Sequence, residues 1–245
     1  MWEQGYEKSA HLYDLFDSKD NIPFFLRYGL AAGEILDIGA GTGRIAIPLA
    51  EEGVRIFCVE PSPAMRAVFE EKLSSRNDLK QKITLIEGEA KNFNLGRTFL
   101  AAYLSGTFDH FLNHEDRVQS LLNIRKHLRT GGVLIFDVFI GLMQDMPLSP
   151  AGEVVRGNRI YQRSFASKVL PENRLEVELV YEILENETVI NRIEERSLAG
   201  MVDRRGIHEL LKRTGFKVEA EFGNYQRDPF QEQDGILIIQ AVRKD

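Results

Sequence analysis

One stretch limits the folds open to this 245-residue chain more than any other: Glu34-Ile35-Leu36-Asp37-Ile38-Gly39-Ala40-Gly41-Thr42-Gly43-Arg44. A run of buried-strand character enters three glycines at alternate positions, and a helix-forming segment follows over 43–52. Glycine permits the sharp turn and lets a ligand touch bare backbone. A strand, such a turn and a helix open a βαβ unit, and in an open α/β sheet the turn lies at the carboxyl ends of the strands, where ligands bind.

The alternation continues. Strand-like runs at 54–60, 83–87, 99–104 and 133–139 are separated by amphipathic segments. One is a helix over 63–74, with Pro63 in its first turn and Ser62 as N-cap; the other, over 115–128, carries an apolar stripe of Val118, Leu121, Leu122, Ile124 and Leu128 and is expected to stop at Gly131-Gly132. Strands buried on both faces and separated by helices predict a parallel, doubly wound sheet. A helix over 203–214 ends at Gly215, and strands at 217–222 and 236–242 have no helix-sized segment between them, so one is expected to run antiparallel at the sheet edge. Residues 159–169, 174–183 and 189–198 alternate polar and apolar positions and turn at Pro171-Glu172-Asn173 and Glu185-Asn186-Glu187. They predict a three-stranded antiparallel insertion within 152–200, laid over one rim of the sheet. The fold class is α/β: a Rossmann-like, doubly wound, seven-stranded and mostly parallel sheet with an antiparallel last strand and a small antiparallel β insertion. The chain reads as one domain over 1–245 with an N-terminal helical cap over 1–30.

Charge and composition exclude several classes. Hydrophobic residues make up 43% and charged ones 28%, enough apolar content for a core, and the net charge of −6 speaks against a nucleic-acid partner held by phosphate contacts. The short basic clusters (Arg125, Lys126, Arg129; Arg204, Arg205) read as solvated helix faces. The single cysteine, Cys58, sits in an apolar run and reads as core; it excludes an intrachain disulfide and a cysteine-based metal site. His11, His110, His114, His127 and His208 show no metal-ligand spacing, so no metal is expected. No apolar run reaches membrane-spanning length, and the first residues lack the basic-then-apolar pattern of a secretory signal. The expectation is a cytoplasmic monomer or homodimer acting on a small molecule, away from membranes and nucleic acids.

Two ligand classes compete for the glycine turn. The dinucleotide fingerprint G-x-G-x-x-G seats a pyrophosphate on the helix N-terminus, but here the third glycine comes one residue early and Arg44 fills the position reserved for it. Asp37 closes the strand beside the turn, where it would repel a diphosphate. Glu60 ends the neighbouring strand, where a carboxylate can accept hydrogen bonds from both ribose hydroxyls. S-adenosylmethionine, with a sulfonium, an ammonium, a carboxylate and a ribose diol but no phosphate, meets these demands.

From about Tyr13 to the end, the chain resembles the class I S-adenosylmethionine-dependent methyltransferases, and in size and insertion it is similar to amino-sugar N-methyltransferases. Asp37-Ile38-Gly39-Ala40-Gly41-Thr42-Gly43 matches the family's first motif. Glu60-Pro61-Ser62-Pro63-Ala64-Met65 looks like the second, in which the acid holds the ribose and Met65 packs near adenine. Glu87-Gly88-Glu89-Ala90 is similar to the family's G-D-A element, with Glu89 one methylene longer than the usual aspartate that bonds the adenine amine. The resemblance also implies that Leu104 and Ser105 border the cofactor, that the stretch from Ser105 to Phe111 lines the methyl-transfer site, and that Tyr13 contacts the methionine end.

Methyl transfer is an in-line displacement, so the protein chiefly aligns a nucleophile and excludes water. If the acceptor must lose a proton, His110 is the favoured base, because imidazole accepts a proton near neutral pH and because some amino-sugar N-methyltransferases carry a catalytic histidine there. Its other reading is a packing residue between Phe108 and Phe111. Asp137 is the second candidate. Phe108, Phe111, Asp137 and Tyr161 are expected to face the acceptor, with Tyr161, Arg163 and Phe165 of the insertion roofing it; the alternative for the insertion is a dimer interface. The chain lacks an (Asn/Asp)-Pro-Pro-aromatic element, a Pro-Cys nucleophile and an acidic trio for magnesium, which sets aside base-amine, pyrimidine C5 and catechol methylation. A nucleotide-dependent oxidoreductase and a non-catalytic binding protein on the same fold stay open as rivals.

Overall fold

A computed structural model describes residues 5–16, 18–141 and 144–245. Five strands alternate with helices in the first half: β1 (Glu34–Ile38), α2 (Ala46–Glu51), β2 (Arg55–Glu60), α3 (Pro63–Ser74), α4 (Asn77–Lys80), β3 (Ile83–Glu87), β4 (Phe99–Leu104), α5 (His114–Lys126) and β5 (Leu128–Phe139). A 3-10 helix (Ala10–Leu15) and α1 (Ile22–Ala32) precede them, and α6 (Arg204–Arg213), β10 (Phe216–Phe222) and β11 (Ile236–Arg243) close the chain. The seven-stranded sheet has the order β10-β11-β5-β4-β1-β2-β3.

Side chains alternate across each strand, and every interior strand therefore feeds two cores. Leu36, Leu104 and Phe136 point to one face, beneath Leu121 and Ile124 of α5 and Ile207, Leu210 and Leu211 of α6. Ile35, Tyr103 and Ile135 point to the other, against Phe24 and Phe25 of α1, Leu49 of α2 and Phe69 of α3. Three helices start on polar caps: Ser62 accepts from Met65 N (3.3 Å), Asn113 from Asp116 N (2.9 Å) and Asp203 from Gly206 N (2.7 Å).

The last strand is antiparallel, but it does not lie at the edge. β11 inserts between β5 and β10, antiparallel to both, and β10 forms the rim. Burial explains the choice: Leu237, Ile238, Ile239 and Ala241 are fully buried and need neighbours on both sides, whereas β10 is half exposed. Helix α5 also ends at Lys126, earlier than the glycines. Residues 128–132 instead begin β5 as a bulge, with Phe99 paired to Leu128 and Ala101 to Val133, and Gly131 (φ 74°) supplies the kink.

The insertion has four strands rather than three: β6 (Met146–Arg156), β7 (Arg159–Leu170), β8 (Arg174–Glu185) and β9 (Thr188–Gly200), antiparallel in that order. β6 carries Pro147, Pro150 and Gly152, which disguise it, but it is an edge strand, where proline is tolerated. Both expected tight turns are present, with positive φ at Glu172, Asn173, Asn186 and Glu187. Among the described residues, no helix is long and apolar enough to cross a membrane.

Candidate functional site

The carboxyl ends of β1 to β4 open onto a cleft of about 140 Å³. Its floor is the glycine turn, tied to β2 by Gly39 N, which donates to Val59 O (2.8 Å). The three glycines do different work. A Cβ on Gly43 (φ 78°) would run into the Phe69 ring, so this glycine serves helix packing. A Cβ on Gly41 (φ 56°) would meet nothing within 4 Å, and this residue presents bare backbone to the cleft. Gly39 faces Thr107, which a Cβ would strike.

Glu60 is the best-held group at the site. It is only 5% exposed, yet Oε2 accepts from Gly41 N and Oε1 from Ser62 N, both at 2.8 Å. Arg66 clamps the turn after β2 by donating to Glu60 O (2.9 Å) and Pro61 O (2.7 Å). Each carboxylate oxygen retains acceptor capacity beyond its backbone bond, so the group is fixed in orientation and still able to receive hydroxyl protons from the cleft.

Around this floor stand Tyr13, Pro61 and Met65, then Gly88, Glu89 and Ala90 beyond β3, and Ser105, His110 and Phe111 beyond β4. A small adjoining hollow of about 30 Å³ is lined by Asp37, Ala40, Thr42 and Arg44. Two expected cofactor residues lie behind the wall: Gly43 against Phe69, and Leu104 fully buried in the core. Phe108 is also core, stacked on Phe136 at 4.7 Å. Asp137 does not border the cleft. Its carboxylate accepts from Ser105 Oγ (3.0 Å), Gly106 N (2.6 Å) and Tyr225 OH (2.8 Å), and so fixes the loop after β4.

The insertion stands differently from expectation. Among the described residues, none of β6 to β9 lines the cleft. Tyr161 packs beside Leu12 and Tyr181, Arg163 lies over the Phe16 ring at 5.0 Å, and Phe165 sits mid-strand in β7. What comes between is residues 5–16, whose Tyr6 and Tyr13 line the cleft with rings edge to face at 5.5 Å. Gly106 and Thr107, within the stretch expected to line the site, border the cleft, whereas sequence reasoning missed Tyr6, Lys91, Asp116 and Ser120. Lys91 links the nearby Glu89 (3.2 Å) to Asp116 (3.3 Å), which stands 25 residues further along the chain.

Burial dominates the electrostatics. It pushes the Asp37 carboxyl up to about 7, with Arg44 opposing and Glu60 reinforcing the shift. The Glu60 carboxyl is raised by the same cause, against its two backbone donors. Burial drives the His110 imidazole down to about 4. His110 is therefore neutral at pH 7 and does not titrate near neutrality as expected. Its buried Nδ1 has no hydrogen-bond partner, and its ring meets Tyr6 edge to face at 5.9 Å. A neutral ring of this kind is suited to accepting a hydrogen bond from a nucleophile's N–H or O–H.

The donor set discriminates between ligands. Asp37, Glu60 and Glu89 surround the cavities, while the nearby cations are engaged: Lys91 on the cleft wall pairs with Glu89 and Asp116, Arg44 donates to Asn21 Oδ1 (2.7 Å) and Ser18 O (2.9 Å), and Lys72 is held by Asp14 and Thr42 O. A diphosphate fits such a site poorly; a sulfonium with a ribose diol fits it well.

Comparison with known proteins bears on the fold. Residues 35–132 match a family described as a methyltransferase domain. An uncharacterized methyltransferase of Bacillus cytotoxicus is 27% identical over 142 residues, which make up 54% of this chain and 64% of that protein, so the chain spans less than two thirds of this relative's length. The CcbJ methyltransferase from Streptomyces caelestis superimposes with a TM-score of 0.81 at 15% identity, over 98% of this chain and 97% of that one. The sugar N-methyltransferase KedS8 from a Streptoalloteichus species gives 0.74 at 23% identity, over 95% and 93%. The shared property is the fold, a Rossmann-like sheet with an antiparallel insertion.

Proposed function

We propose that this chain, which has the fold of the S-adenosylmethionine-dependent methyltransferases, transfers a methyl group from S-adenosylmethionine to a nitrogen or oxygen nucleophile of a small molecule. The carrying observation is Glu60, locked by Gly41 N and Ser62 N beside the bare backbone of Gly41, an arrangement suited to a ribose diol and hostile to phosphate. When bound, S-adenosylmethionine supplies an electrophilic methyl on a sulfonium leaving group.

The chain's own residues bind, orient and shield. Glu60 accepts the ribose hydroxyls, Glu89 lies at the adenine end, and Asp37 favours a nearby cationic centre. Tyr6 and Tyr13 cover the cleft and exclude water, which strengthens each electrostatic contact within it. His110, whose neutral ring borders the cleft, orients the acceptor by receiving a hydrogen bond from its nucleophile. It is a weak base, so an acceptor that arrives as a neutral amine suits the site best. A sugar N-methyltransferase among the structural neighbours supports a small-molecule acceptor.

Incubating the protein with S-adenosylmethionine and a panel of amines, carboxylates and phenols, and measuring S-adenosylhomocysteine released, tests the proposal. Turnover with at least one amine or hydroxyl acceptor is expected. Tight binding of S-adenosylhomocysteine without turnover across a broad panel would favour a non-catalytic binding protein.

A further inference from the structure

We infer that Glu195 of β9 is a positioning residue for the cleft, and that the insertion serves to hold residues 5–16 so that Tyr6 and Tyr13 stand over the ligand. This rests on the proposed function only for the identity of that ligand. Glu195 is 7% exposed, and its Oε2 accepts from Ser9 N (2.8 Å) and Lys8 N (3.1 Å) across more than 180 residues of sequence. Among the described residues, no ion pair includes it. A buried carboxylate is tolerated when charge-assisted hydrogen bonds satisfy it, and here backbone amides of the N-terminal segment supply them.

Neighbouring contacts reinforce the grip. Gly5 (φ 79°) passes so close to β9 that a Cβ would lie 3.0 Å from Ser197 Cβ. Leu12 is buried with Tyr181 and Ile183 of β8, and Phe16 packs on Tyr181 at 5.6 Å. The opposite side of the segment faces the cleft. There Tyr6 touches Tyr13 and His110, and Asp14 accepts from Thr42 Oγ1 (2.5 Å) in the glycine turn while pairing with Lys72 of α3. The segment is thus clamped between the insertion and the ligand-binding turn. The insertion acts on the site through this segment, whereas its own residues stay off the wall.

The test combines calorimetric titration of S-adenosylhomocysteine with hydrogen–deuterium exchange on the full chain, for the wild type, Glu195→Ala and Glu195→Gln. Glu195→Ala should weaken binding at least tenfold and speed exchange in 5–16, above all at Lys8 and Ser9, while β1, β4 and β5 keep their protection. Glu195→Gln retains one acceptor oxygen and should fall between Glu195→Ala and the wild type, and it decides the matter if Glu195→Ala does not fold. Unchanged affinity with unchanged exchange overturns the inference, and so does exchange that accelerates throughout the seven-stranded sheet, which would mark a merely structural role. If the wild type ignores S-adenosylhomocysteine, the proposed function fails, yet exchange at 5–16 still judges the clamp.

Discussion

Replacing Asp37 with asparagine should make the ligand-free protein more stable at pH 8 while weakening its hold on ligand. Burial raises this carboxyl from an ordinary 3.8 to about 7, so the folded state keeps a proton that the unfolded chain has released. Between those values stability falls as pH rises, because the unfolded state binds fewer protons, and above about 7 the loss is complete. The gap is 7 − 3.8 = 3.2 pH units, or roughly 4 kcal/mol as an upper bound at about 1.4 kcal/mol per unit. Asparagine removes the charge but leaves a buried amide, which costs about 1–3 kcal/mol if it finds no partner. The net gain at pH 8 is then roughly 1–3 kcal/mol, a rise in Tm of about 2–12 °C for a chain of this size. At pH 5 the folded carboxyl is already protonated, and the advantage shrinks by roughly 3 kcal/mol and disappears. Thermal unfolding of both proteins at the two pH values reads this directly. Added S-adenosylhomocysteine at a hundred times its Kd should stabilise the wild type by about 2.7 kcal/mol and the variant by less. A variant that is less stable than wild type at pH 8, or a difference that does not change with pH, refutes the reasoning.

Other perturbations separate binding from folding. Glu60→Ala removes a charge-assisted acceptor for the ligand diol worth roughly 1.5–3 kcal/mol, so S-adenosylhomocysteine should bind about 10- to 100-fold more weakly by calorimetry. Gly43→Ala combines left-handed strain of about 1–2 kcal/mol with overpacking against Phe69 of about 1–3 kcal/mol, and should chiefly lower Tm. Gly41→Ala bears only the strain but projects a methyl into the cleft, so it should lose ligand affinity more than tenfold with a smaller fall in Tm. Tyr225→Phe deprives the buried Asp137 carboxylate of one of its three donors, with an expected loss of about 1–3 kcal/mol by thermal unfolding.

What the sequence disclosed was local. Strand, glycine turn and helix are contiguous, Ser62 caps a helix begun by Pro63, and Glu60 follows from the geometry of one βαβ unit. The order of β1 to β5 came from periodicity that neighbouring residues enforce. Features set by distant partners stayed hidden. The position of β11 depends on which strand needs burial on both sides, and β6 hides behind prolines that only an edge location excuses. Asp137 read as a site residue because it ends a strand, but its role is set by Tyr225, 88 residues away. Tyr6 gave no signal, since Glu195 fixes its neighbours from the far end of the insertion. His110 borders the cleft, and its basicity depends on how deeply the ring is buried, which its sequence neighbours do not reveal.

The most direct measurement is a calorimetric titration of the purified protein with S-adenosylhomocysteine, and in parallel with NAD. One S-adenosylhomocysteine per chain should bind with a micromolar or lower Kd while NAD gives no heat of binding. No binding of S-adenosylhomocysteine, or preferential binding of NAD, would contradict the assignment of the Gly41–Glu60 cleft.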